Sequence, residues 1–407
     1  MATHQVKVLQ PLPPQAAPAS RNAEVAVGQT PWPRATKPPG GLTVLVLEGE
    51  YLLTRAVLFC LSRWPGMRVH LLTRGPHNHY RLSGYLRACH ACPPGQSDTA
   101  FVAFAQQVAQ TIQAQVLMPV DVAGMRFVIA HRPAFEATMR VLPLPSATHY
   151  EIASDKGLLA AFMQEHEIPA PATLLDIRNG LAAKLVGFRF PVLLKPVHGC
   201  GGRGIAQYDE PATLLQAVAE LPETDQYIIQ NCLEGYDIDC NVLYQNGRLV
   251  AHSIQKALVA SAGKYAPAEA IEFVRSSAVL AVVDRLMRAL CWNGVAHLDL
   301  RYDARDQQIK VIEINTRFWL TVVGSAVAAK VNFPALACLA ATGRPVLQGP
   351  SALGRYIPFA SFLKLRFGRR PTGASPKFPF AWRDTSLRFF LGNVAAQLYH
   401  LLLTDED

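Results

Sequence analysis

The chain has 407 residues, half of them hydrophobic and 17% charged, with a formal net charge of +9. That length suffices for two or three packed units, and no apolar run reaches the ~20 residues that span a bilayer. Residues 1–40 carry no hydrophobic leader core, so a cytoplasmic location is expected. The positive balance suits an anionic partner, but no lysine patch interleaved with aromatics is present and nucleic-acid binding is not expected; a triphosphate would use the same charge. Of the eight cysteines, Cys89 and Cys92 form a Cys-x-x-Cys without a second pair at zinc-site spacing, which favours reduced thiols over a metal site.

Residues 1–40 are rich in Pro and Ala without apolar periodicity and are expected to be a disordered tail. From Leu42 the pattern alternates: strand Leu42–Leu47, helix from about Glu50 to Arg63, strand Met67–Thr73, helix around Thr99–Gln113, strand Gln115–Pro119. Alternation of this kind predicts a parallel sheet with helices on both faces, spanning residues 41–146. The first turn, Glu48-Gly-Glu-Tyr, lacks the glycine spacing of a dinucleotide fold. A ligand would meet such a sheet at the carboxyl ends of its strands, near Glu48, Thr73 and Asp121.

Prolines 143 and 145 mark a boundary, after which Ser154 reads as the N-cap of a helix with Lys156 in its first turn. The apolar run Pro191–Leu194 delivers Lys195, followed by His198-Gly-Cys-Gly-Gly-Arg-Gly204 and a second strand. Gly199, Gly201, Gly202 and Gly204 allow backbone amides to close on a phosphate without a Cβ in the way, with Lys195 adding charge. The lysine precedes the glycines, so this is not a Walker A loop. Strand Gln226–Gln230 leads to a hairpin, Ile238–Tyr244 and Arg248–Lys256, turned by Asn246-Gly247. Lys256 ends it and is expected to face the same phosphate group; Ser261–Lys264 reads as a loop at the mouth. Ser276–Trp292 is an amphipathic packing helix.

Gly294–Asp303 and Gln308–Asn315 read as paired strands. Alternation places Glu313 and Asn315 on one face, and pairing could bring Asp299 beside them. Three oxygen ligands among Val, Ile and Leu point to Mg²⁺, or Mn²⁺ in its place, the alternative being an inward salt-bridge network with Arg301 and Arg317. Helices are expected at Gly324–Lys330 and Phe333–Thr342. Beyond Gly349 stand a basic loop, Arg366–Lys377, and a helix, Ser386–Leu403, that either docks on the protein's own core or rests on a membrane or partner.

The order Lys156, the glycine loop, Tyr227–Asp239, His297–Asp303 and Glu313-Ile-Asn-Thr-Arg-Phe-Trp resembles the ATP-grasp superfamily over roughly Tyr150–Val331. The resemblance implies an α/β ATP-grasp fold: an N-terminal Rossmann-like domain, then residues 147–345 as a small α+β lid lobe and a larger metal-binding lobe, with 346–407 an extension of unassigned role. It implies that Lys156 reaches the phosphates beside Lys195 and His198. Adenine would lie against Gln230, Cys232 and Leu233, the ribose against Asp237 or Glu234, and Arg317 would steady an acyl phosphate. The implied activity is ATP-dependent joining of a carboxylate to an amine, with a homodimer as one assembly. The alternatives are a small-molecule kinase and a non-catalytic nucleotide-binding scaffold.

Overall fold

The computed structural model describes residues 41–75, 79–199, 202–259, 268–346, 349–367 and 380–392. The tail 1–40, Gly201, the Ser261–Lys264 loop, most of the basic loop and residues 393–407 lie outside the described residues.

β1 (Leu42–Leu47) is buried at all six positions, as an apolar run in the middle of a parallel sheet should be. α1 (Tyr51–Ser62), β2 (Met67–Arg74), β3 (Ala88–Cys92), α2 (Asp98–Ile112), β4 (Val116–Met118), α3 (Val122–Ala130), α4 (Arg132–Glu136) and β5 (Arg140–Val141) complete the first domain. Its strands run parallel in the order β3-β2-β1-β4-β5. Sequence periodicity did not disclose β3. Cys89 and Cys92 fall on it at odd spacing and so point to opposite faces.

α5 (Ala147–Ser154) and α6 (Lys156–Glu165) abut with one extended residue between them. The expected cap therefore shifts by one. Asp155 caps α6 by accepting from Leu158 N at 2.8 Å, while Ser154 Oγ donates to Tyr150 O (2.7 Å) and meets Thr316 Oγ1 (3.0 Å).

The lid lobe contains β6 (Thr173–Leu174), α7 (Leu181–Lys184), β7 (Val192–Pro196), β8 (Ala206–Tyr208), α8 (Pro211–Ala219) and β9 (Tyr227–Asn231), with strand order β6-β9-β7-β8. Val192, Leu194 and Ile229 pack with Leu181, Leu185, Leu214 and Val218 into a core of the lobe's own. Alternation turns Thr173, Leu193, Lys195 and Gln230 to the opposite face.

The large lobe adds β10 (Gly235–Gln245), β11 (Arg248–Val259), β12 (Ala270–Val274), α9 (Ser277–Ala289), β13 (Gly294–Asp303), β14 (Gln308–Asn315), α10 (Val322–Val327), α11 (Phe333–Ala341), β15 (Gly354–Tyr356), α12 (Phe359–Phe367) and α13 (Leu387–Leu391). Its antiparallel sheet has the order β14-β13-β10-β11-β12-β15. Asn246 (φ 51°) and Gly247 (φ 71°) both occupy the left-handed region, as a two-residue hairpin turn requires. The sheet packs α9 through Val279, Val283, Leu286 and Met287, and its core is continuous with that of the first domain. Asn332 Nδ2 donates to Cys60 O at 2.7 Å, tying α11 to α1. The described part of the final helix docks on the first domain: the Phe389 ring lies 5.2 Å from that of Phe59, and Tyr85 Oη donates to Arg388 O at 2.9 Å.

Candidate active site

The cleft face of the large sheet carries polar residues in two rows. Across β11, β10, β13 and β14 the register aligns Gln255, Asp239, Asp299 and Glu313, and beside them Ser253, Asn241, His297 and Asn315. The intervening Ile238, Cys240, Val242, Leu298, Leu300 and Ile314 are buried in the core. A β-bulge creates part of this alignment. Leu300 pairs with Val311, so regular pairing would set Ile312 opposite Asp299; the register shift sets Glu313 there instead. Asp299, Glu313 and Asn315 thus converge as the sequence suggested, with Asn315 Nδ2 donating to Asp299 Oδ2 at 3.3 Å.

The electrostatics follow from burial and crowding. Burial, then the neighbouring Asp299 charge, pushes Glu313 above the usual carboxylate range. Burial also works against the charge on Asp299, but His297 and hydrogen bonds from His297, Glu313 and Asn315 outweigh it and hold its pKa low. A hydrogen bond between two carboxyl groups requires that one hold a proton. Burial raises Asp239 to about 7. Burial opposes the His297 cation, yet the Asp299 charge and hydrogen bond lift its pKa above the ordinary value.

The cations come from α6 and from the lid lobe. Lys156 Nζ sits 3.3 Å from Glu313 Oε2 and donates to Gly199 O at 2.8 Å, so one side chain joins β14 to the glycine loop. His198 Nε2 stands 3.6 Å from Asp155 Oδ2. Lys195, 5% exposed, donates to Gln230 Oε1 at 2.6 Å, and burial lowers its pKa to about 8. Gly199, Gly202 and Gly204 have φ of 122°, 74° and 76°, conformations L side chains rarely adopt.

Several expected contacts are placed differently. Gln230 accepts from Lys195 through Oε1 and donates to Thr173 Oγ1 at 3.0 Å, so its amide secures the lysine. Cys232 N donates to Pro191 O at 3.2 Å, while Leu233 follows beyond the strand end. Asp237 is paired with Arg301 and Glu234 with Arg305. Lys256 is a correction. It pairs with Ile238 and Glu272 on the face opposite Asp239, and its ammonium lies 4.3 Å from the centre of the Tyr236 ring. On that strand Gln255 and Ser253 lie on the polar face.

Arg317 lies just beyond Asn315, its Nη1 donating to Phe318 O at 2.7 Å. Phe318 and Trp319 are buried packing residues, as expected. At the strand ends of the first domain, Asp121 accepts from Gly124 N (2.8 Å) and Glu50 N (2.9 Å), a capping role, and Thr73 Oγ1 donates to Gly75 O (3.2 Å). Burial raises the Glu48 carboxyl to about 7. Sequence reading missed Asp239, Asn241, Gln255 and the role of His297. The signal was present in the polar period-two run Asp237, Asp239, Asn241.

Comparison with known proteins agrees with this geometry. Residues 153–321 match the sequence profile of the ATP-grasp domain. A carbamoyl-phosphate synthase of Methanobrevibacter smithii is 27% identical over 239 residues, covering 55% of this chain and 61% of that protein. The arginine-specific carbamoyl phosphate synthase large chain of Geobacillus stearothermophilus is 25% identical over 190 residues, 44% of this chain and 18% of its own. The chain therefore spans less than two thirds of these curated relatives. Among solved structures, an N5-carboxyaminoimidazole synthetase from Staphylococcus aureus complexed with ADP superimposes with a TM-score of 0.59 at 13% identity, covering 78% of this chain and 81% of that one. An L-amino acid ligase from Bacillus licheniformis gives 0.55 at 17% identity, with 74% of each chain covered. At these identities the structures establish the shared fold.

Proposed function

We propose that this chain, whose residues 153–321 match the ATP-grasp domain, is an ATP-dependent ligase that activates a carboxylate as an acyl phosphate and joins it to an amine. The observation that carries the reading is the convergence of Asp299, Glu313 and Asn315 with Lys195 and with Lys156, which also reaches Gly199 of the glycine loop. The carbamoyl-phosphate synthase relatives and the L-amino acid ligase likeness support the same chemistry.

The donor set fits a hard divalent cation, because adjacent carboxylates that must share a proton are better compensated by a dication. Asp299, Glu313 and Asn315 would hold Mg²⁺ or Mn²⁺, which when bound neutralises phosphate oxygens. Glycine-loop amides and Lys156 receive the phosphates, and Lys195, held by Gln230, meets them from the lid. Leu233 and the Cys232 carbonyl are left to edge the adenine, while Asp237 and Glu234 offer carboxylates near the ribose side. A substrate carboxylate oxygen attacks the γ-phosphorus, ADP leaves, and Arg317 offsets charge on the acyl phosphate. The amine then attacks the acyl carbon, forming the C–N bond and releasing phosphate. Positioning and charge do the work, and no protein nucleophile is required.

Incubation of the protein with ATP, Mg²⁺ and pooled carboxylates and amines tests this by mass spectrometry and phosphate release, with hydroxylamine trapping the acyl phosphate. An amide product with ADP and free phosphate is expected. A stable phosphate ester would identify a kinase instead, and tight ATP binding without turnover would identify a non-catalytic module.

A further inference from the structure

We propose a second cation site in the same sheet, adjoining the nucleotide-metal set and sharing Asp299 with it: a first-row transition-metal dication held by Asp239, His297 and Asp299. The ligand atoms of these three residues lie within 4.8 Å of one another. They come from adjacent strands, Asp239 directly opposite Asp299 and His297 two residues before Asp299. Like charges facing each other across a strand pair are destabilising, and His297 is the basic side chain set against these two carboxylates. Lys156 stands beside Glu313. Among the described ion pairs no lysine or arginine stands against Asp239.

The shell around the three ligands is already organised. His297 Nδ1 meets Asn241 Oδ1 at 2.7 Å. Asn241, fully buried, donates from Nδ2 to Ser253 Oγ (3.1 Å) and Gln255 Oε1 (3.2 Å), so its oxygen must be the atom that faces the imidazole. Nδ1 is therefore the donor, and Nε2 points at Asp299 Oδ1, 2.9 Å away. A metal-ligating histidine is ordinarily held in this way, by an acceptor on its other ring nitrogen. The Trp319 ring stacks on the imidazole at 5.8 Å and 19°, fixing its plane. Gln255 Nε2 donates to Asp239 Oδ2 at 3.1 Å and so orients that carboxylate too. The ion would replace the proton on the line between Nε2 and Asp299.

The two oxygens of Asp299 divide between the sites: Oδ2 faces Asn315, Oδ1 faces His297. An imidazole with two carboxylates favours Mn²⁺, Fe²⁺, Co²⁺ or Zn²⁺, whereas the all-oxygen set of Asp299, Glu313 and Asn315 suits Mg²⁺. Binding here needs no nucleotide, so its failure and the failure of the ligase reading are separable.

The test uses full-length, tag-free protein stripped with a chelator and titrated with Co²⁺ without nucleotide, followed by visible absorption and equilibrium dialysis. One ion per chain is expected, retained in millimolar Mg²⁺. Asp239→Asn and His297→Gln should each weaken it at least ~100-fold, and Asn241→Leu about 10–100-fold by removing the oxygen that holds His297 Nδ1, while Glu313→Gln leaves it in place. Absence of the ion in the wild type, its survival in both ligand variants, or its loss in Glu313→Gln would each overturn the proposal.

Discussion

Replacing Lys195 by Met should stabilise the protein while weakening nucleotide binding. Lys195 is 5% exposed, and burial lowers its pKa from 10.5 to about 8. At 1.36 kcal/mol per pKa unit, keeping this ammonium charged in the folded state costs about 3 kcal/mol. Methionine matches the stem without the charge, but Gln230 Oε1 then loses its donor, which returns about 1–2 kcal/mol. A net gain of about 1–2 kcal/mol is expected at pH 7. The pH dependence has a definite sign. Below pH 8 both folded and unfolded chains hold the proton and the penalty is fully present. Between about 8 and 10.5 the unfolded chain holds the proton and the folded chain sheds it, so wild-type stability rises relative to the variant. Thermal unfolding of both proteins at pH 7, 8, 9 and 10 should show the variant ahead at pH 7 and the gap closing by pH 10. Binding of a non-hydrolysable ATP analogue should fall ~10–150-fold, the equivalent of one charge-assisted hydrogen bond. A variant less stable than wild type at pH 7, or a gap that does not narrow, would show that the Gln230 and Glu313 contacts outweigh desolvation.

Three further outcomes probe the placement of residues. Glu313→Gln keeps the shape and removes the charge, and should lower ligation on the order of 10³-fold in steady-state assays with little change in melting temperature. Lys256→Ala should alter KM for ATP by less than about twofold, because this lysine stands over Tyr236 on the face away from the cleft; a tenfold rise would return it to the site. Gly235 has φ 143°, and a Cβ there would collide with the Tyr302 carbonyl oxygen, so Gly235→Ala should destabilise by about 3 kcal/mol in denaturant titrations.

Local pattern alone determined much of this protein. The buried run Leu42–Leu47 could only be an inner strand, Asn246-Gly247 could only turn a tight hairpin, and the spacing of Glu313 and Asn315 put both on one face. These are properties of neighbours along the chain, where alternation and φ preferences act. What the tertiary structure decided was register. Asp239 meets Asp299 across some sixty residues of sequence, and the bulge at Ile312 chooses which residue of β14 answers Asp299. Lys256 was misplaced because one step along a strand reverses the face, and only pairing with Ile238 and Glu272 shows which face the step reached. That Gln230 secures Lys195 was not legible, because nothing in a linear chain shows that the buried ammonium would need its oxygen.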